Sequence, residues 1–160
     1  MSTLKLKILV GTQSDTAYGV AQAIETQFAG QLPCIEVIRL DEKSTLALFE
    51  NTPEVLHLIC SSTFGSGDVP DNARALYTDF ERDPRTLSEV RYGVIALGDT
   101  FYRETFAMGG ERFDDKLRER GATRLGEILR MDASEGEDPD EIGVDWAREW
   151  LAAHAAPHTA

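Results

Sequence analysis

Short apolar runs alternate with amphipathic stretches along the whole chain. Leu6-Lys7-Ile8-Leu9-Val10 is an apolar run of strand length. Between Thr16 and Ala29, Val20, Ile24 and Phe28 recur every four residues, the period of a helix with one buried face. Cys34 to Leu40 partly alternates and reads as a second strand, and residues 44–51 as a short helix or turn. Val55 to Cys60 is a third strand, followed by a helix over about 70–82. Gly93-Val94-Ile95-Ala96-Leu97 is a fourth strand ended by Gly98. Gly109 to Arg120 is helical, with Phe113 and Leu117 four apart and Gly121 as a stop. Leu125 to Met131 reads as the fifth strand. Residues 139–152 form the last helix, with Ile142, Trp146 and Trp150 on one face, which packs them against a sheet.

Five strand–helix units in unbroken succession predict an α/β fold, a doubly wound five-stranded parallel sheet with helices on both faces. No repeat or linker interrupts them, so residues 1–153 are expected to form one domain, with 154–160 a frayed tail.

The charge balance narrows the partners. Across 160 residues, 28 acidic side chains face 16 basic ones, a net charge of −12 and a pI near 4.6. Nucleic acid and anionic membrane surfaces require clustered Lys and Arg, so neither is expected, and basic partners are favoured. No apolar run approaches the ~20 residues that cross a bilayer, and no signal-peptide pattern precedes the first strand. Cys34 and Cys60 each lie in an apolar run without a CxxC pairing. They read as two reduced core cysteines of a cytoplasmic protein.

Three loops, after strands one, three and four, fall at the carboxyl edge of the expected sheet, where open α/β folds bind ligands. Gly11-Thr12-Gln13-Ser14-Asp15-Thr16-Ala17 offers hydroxyls and backbone N–H groups at a helix start. That suits a phosphate, and helix capping by Ser14, Asp15 or Thr16 accounts for the same residues. The loop lacks the Walker ending and the Gly-x-Gly-x-x-Gly spacing. Ser61-Ser62-Thr63-Phe64-Gly65-Ser66-Gly67-Asp68-Val69-Pro70-Asp71-Asn72 sets one aromatic ring between glycines and small hydroxyls. Gly98-Asp99-Thr100-Phe101-Tyr102-Arg103-Glu104-Thr105-Phe106 again follows a strand-ending glycine with aromatics. Together the loops point to a planar, phosphorylated ligand. His57, mid-strand, reads as a packed core histidine, and the acidic run 132–141 as a solvated loop placed where a partner could dock. No catalytic triad, metal cluster or carboxylate pair is apparent. A phosphorylation receiver would need acids where Gly11-Thr12 and Cys60-Ser61 stand.

On these loops the chain resembles flavodoxins over nearly its whole length. The 62–72 segment is closest to the second flavin loop of MioC-type short flavodoxins and of diflavin-reductase flavodoxin domains. Residues 112–114, Leu117 and 121–124 extend the match. The resemblance implies the sheet order 2-1-3-4-5 and one FMN. Thr12, Gln13, Ser14, Thr16 and Ala17 would hold the phosphate, with Asp15 in the same cradle where the family usually has Gly. Ser62, Thr63, Phe64, Gly65, Gly67 and Asp68 would form the second loop. Phe64 would cover one flavin face in place of the commoner Tyr or Trp, and the Gly65 carbonyl would turn toward flavin N5 on reduction. Leu97, Gly98, Asp99, Tyr102 and Phe106 would form the third loop, with Gly98 and Asp99 along the pyrimidine end and ribityl chain. Tyr102 would stack on the second face. An extra residue before Phe106 leaves Phe101 as the alternative ring.

The implied function is electron carriage by a monomer, from a separate basic-faced flavoprotein reductase to an unknown acceptor protein. A small FMN-dependent flavin or quinone reductase, and an interaction module that has lost flavin, are the alternatives.

Overall fold

A computed structural model of the chain describes residues 5–11, 16–32, 34–41, 43–52, 54–61, 74–83, 85–98, 108–132 and 138–154. Strands β1 (Lys5–Gly11), β2 (Cys34–Arg39), β3 (Val55–Ser61) and β4 (Arg91–Gly98) pair in parallel in the order β2-β1-β3-β4. Two short strands, β5 (Thr123–Arg124) and β6 (Leu129–Asp132), both lie along β4 and together fill the fifth position. The order is the one the resemblance implied.

The strands are apolar on both sides because helices cover both faces. On one face Leu6, Ile8, Val10, Leu56, Leu58, Cys60, Ile95 and Leu97 meet helices α1 (Thr16–Phe28) and α4 (Pro139–His154). Val20, Ile24 and Phe28 of α1 are buried there, as their spacing predicts. Gly143 of α4 lets the two helices approach closely, since a Cβ on it would come within 2.5 Å of Val20 Cγ1. On the other face Leu9, Ile59, Tyr92, Val94 and Ala96 meet α2 (Arg74–Arg82), α3 (Met108–Glu119) and a 3-10 turn at Leu46–Leu48.

The fifth strand departs from the expected continuous run. The Leu125 amide donates to the Tyr92 carbonyl at 2.7 Å, and then the chain turns at Gly126, whose φ is +74°. The Leu125 carbonyl accepts from the Trp150 indole at 2.9 Å instead of continuing the ladder. Trp150 in turn needs Gly93: a Cβ on β4 at that point would meet its ring at 2.7 Å. The last helix therefore packs onto the sheet through its tryptophans, with Trp146 stacked on Trp150 at 5.4 Å.

Cys60 is buried in the core, whereas Cys34 is exposed, a correction to the reading of both as core cysteines. Cys34 opens β2, an edge strand on which alternate side chains meet solvent.

Candidate functional site

The chain leaves β1 for β2 on one side and β3 for β4 on the other, so a crevice opens between the carboxyl ends of β1 and β3. Register places the strand ends side by side: Gly11 opposite Ser61, Ser61 opposite Ala96, and Gly98 opposite Asp132. The three loops singled out in the sequence all leave from this row. Thr12, Gln13, Ser14, Asp15, Ser62, Thr63, Phe64, Gly65, Gly67, Asp68, Asp99, Tyr102 and Phe106, with Phe101, lie outside the described residues.

The described members give the frame of the site. Thr16 opens α1 directly beyond the loop that leaves Gly11, and no acidic side chain occupies the helix's first turn. Ala17 is fully buried, which leaves its backbone amide as the group it can offer a ligand. Its carbonyl accepts from the Cys60 thiol at 3.4 Å, tying the first turn of α1 to the end of β3. Burial pushes that thiol up to about 12, so Cys60 remains a protonated donor. Leu97 is buried with the α1–α4 core, and Gly98 ends β4. The donor set is amides at a helix start with their dipole directed into the crevice, and that fits a phosphate.

The start of α4 lies against α1, where a Cβ on Gly19 would come within 3.4 Å of Asp140 Oδ1. Asp138 Oδ1 accepts from the Asp140 amide at 3.0 Å, and Asp140 and Glu141 occupy the first turn, favourable for the helix dipole. Burial, then Asp138, raises the Asp140 carboxyl above its ordinary range.

Tyr92, Asp114 and Arg124 form a buried network that the sequence pattern did not disclose. The Tyr92 hydroxyl donates to Asp114 Oδ1 at 2.5 Å, and Arg124 pairs with Asp114 Oδ2 at 2.7 Å. Burial, then Asp114, pushes the Tyr92 phenol far up, so it stays a donor. The network joins β4, α3 and β5. Tyr92 and Arg124 stand at the amino end of β4, opposite the end from which the third loop leaves at Gly98. The one signal in the sequence was a carboxylate beside Phe113 on the helix face that meets the core.

Among the described residues no group of His, Cys, Asp and Glu could hold a metal, and no helix is long and apolar enough to cross a membrane.

A doubly wound sheet with an anion-ready helix start at its switch point defines a nucleotide-type cofactor binder. The flavodoxin family model matches residues 8–146, so the chain belongs to the flavodoxin family. Its function is accordingly electron transfer, with FMN as the cofactor. The chain is 36% identical over 146 residues to flavodoxin YqcA of Pectobacterium carotovorum subsp. carotovorum, covering 91% of this chain and 94% of that one. It is 33% identical over 149 residues to the sulfite reductase [NADPH] flavoprotein alpha-component of Vibrio parahaemolyticus, covering 92% of this chain and 22% of that protein. Among solved structures, a cysteine-to-alanine mutant of flavodoxin from Pseudomonas aeruginosa superposes with a TM-score of 0.76 at 31% identity, covering 96% of this chain and 100% of that one.

Proposed function

We propose that the chain is a single-domain carrier that takes electrons from a separate, basic-faced flavoprotein reductase and passes them to an acceptor protein in the cytoplasm. The observation that carries this reading is the start of α1 at the crevice between β1 and β3, held to β3 by Cys60. Amides of Thr16 and Ala17, with Thr12, Gln13 and Ser14, hold the phosphate. Asp15 brings a carboxylate to the same cradle and weakens it. Phe64 and Tyr102 would hold the flavin ring between them and keep water from it. Ser62, Thr63, Gly65, Gly67 and Asp68 would complete the second loop, glycine at 65 tolerating either sign of φ. Leu97, Gly98, Asp99 and Phe106 shape the third loop. FMN supplies the one-electron and two-electron redox chemistry, and the protein supplies position and electrostatics.

A relative named flavodoxin is covered by this chain over 94% of its own length, which supports a carrier. The test is anaerobic reduction of the FMN-loaded protein. Addition of NADPH alone should leave it oxidised, and a catalytic amount of a flavoprotein reductase should then reduce it. Steady NADPH oxidation by the lone protein, accelerated by a quinone, would assign it to the enzymes instead. A colourless protein that ignores added FMN would remove both readings.

A further inference from the structure

Arg39, Val10 and Cys60 form one row across three strands. Val10 of β1 stands opposite Arg39 of β2 on one side and opposite Cys60 of β3 on the other. Residues in register on neighbouring strands present their side chains to the same face of a sheet, and Val10 and Cys60 belong to the core beneath α1 and α4. One residue beyond the row, Gly11 ends β1 and the first loop leaves.

Both flanks of the row reach the first turn of α1. The Cys60 thiol donates to the Ala17 carbonyl at 3.4 Å, and the Arg39 guanidinium carbon lies 4.8 Å from the centre of the Tyr18 ring. Ala17 and Tyr18 are the second and third residues of the helix. A first turn has no preceding turn to bond its amides, and helix ends fray. Here the strands on either side of β1 hold it. Ile95, next in the row, is apolar like Val10. An apolar side chain at position 60 would serve the core as well, and the thiol adds a donor. The Ala17 carbonyl has a second lone pair for it besides the one a helical amide uses. Arg39 is exposed, but the Tyr18 ring and a further partner engage it. It acts as a strut and not as a cation open to a ligand.

We propose that Cys60 and Arg39 are positioning residues for the flavin phosphate, holding Ala17 and Tyr18 from the strands on either side of β1 so that the first turn of α1 is ordered before the ligand arrives. The proposal rests on the reading that the start of α1 holds that phosphate. Amides that converge on an anion bind it best when they are already in place, because ordering them on binding costs affinity. Loss of either strut transfers that ordering to the binding step. The cost falls on FMN and not on riboflavin, which has no phosphate to order the turn. Discrimination between the two flavins is therefore set in part by two side chains that do not touch the ligand.

The test reads the ratio of FMN affinity to riboflavin affinity, by titrating flavin-free wild type and variants with each flavin. Cys60→Ala removes the donor. Tyr18→Leu removes the ring and leaves the Arg39 charge in place, which separates positioning from direct attraction. Each should lower the ratio at least about threefold, the size of one weak hydrogen bond or one exposed cation–ring contact, with riboflavin affinity unchanged. Cys60→Ser keeps a donor and should retain the wild-type ratio. An unchanged ratio in Cys60→Ala or in Tyr18→Leu would overturn the proposal, and so would a Cys60→Ser ratio as low as that of Cys60→Ala. Equal weakening of both flavins would reduce the struts to a general structural role and overturn it as well. Equal affinity of the wild type for the two flavins would remove the phosphate reading and the proposal together, an outcome distinct from variants that discriminate as well as a discriminating wild type.

Discussion

His57 shows what a single buried side chain imposes on the molecule. It is fully buried on β3, and its Nε2 accepts from the Glu50 amide at 3.0 Å. The proton of the neutral ring therefore sits on Nδ1, which has no hydrogen-bond partner among the described residues. Burial first, and Lys7 second, hold its pKa down to about 4 from an ordinary 6.5. Between those values the unfolded chain binds a proton that the native protein refuses. Stability therefore falls as pH drops from 6.5 toward 4, by a total of about 3 kcal/mol. Urea unfolding midpoints at successive pH values should show this decline, and His57→Phe should flatten it whatever its effect at neutral pH. Equal slopes in the two proteins would mean that another group is responsible. The core position of His57 was legible from its place in an apolar run. The exposure of Cys34 was missed, although the partial alternation of β2 sets it on the same side as Glu36, because only the sheet order makes β2 an edge strand.

At the scale of elements, the close fit of α4 to the sheet has a single narrow point. Gly93→Ala would drive a methyl into the Trp150 ring, which is also held by the Leu125 carbonyl. The expected cost is about 1–3 kcal/mol, read as a fall in urea midpoint together with a red-shift of tryptophan emission. An unchanged midpoint would show that α4 can slide freely. The network on the opposite face also has a cost when broken. Asp114→Ala removes the carboxylate shared by Tyr92 and Arg124, leaving the Tyr92 hydroxyl only the backbone carbonyl of residue 114 and Arg124 only the Gly126 carbonyl. About 1–3 kcal/mol is expected, more than for Arg124→Ala, since the Arg124 side chain is 30% exposed and retains water. Equal losses from the two substitutions would contradict that ranking. Strands β1 to β4 and the helices were readable because their hydrophobic periods coincide with the observed faces. The break between β5 and β6 was not, because it is set by Trp150 and Tyr92, residues far away in sequence. Asp114, Tyr92 and Arg124 were hidden for the same reason.

For the whole molecule, the excess of acid over base is the dominant long-range property. Attraction between this surface and a basic reductase is screened over about 8–10 Å at physiological salt. Reduction by such a partner should therefore slow as ionic strength rises, and neutralising Glu135, Glu137 and Asp138 together should lessen that slope. A rate independent of salt in both proteins would mean that docking is not electrostatic. The central claim is more local: the start of α1, at the switch point of the sheet, is where a flavin phosphate is held. Its most direct test is parallel titration of the apoprotein with FMN and with riboflavin, followed by quenching of flavin fluorescence. The account predicts one FMN per chain and at least about tenfold weaker binding of riboflavin, the loss of charge-assisted hydrogen bonds to the phosphate. Equal affinity for the two would contradict it.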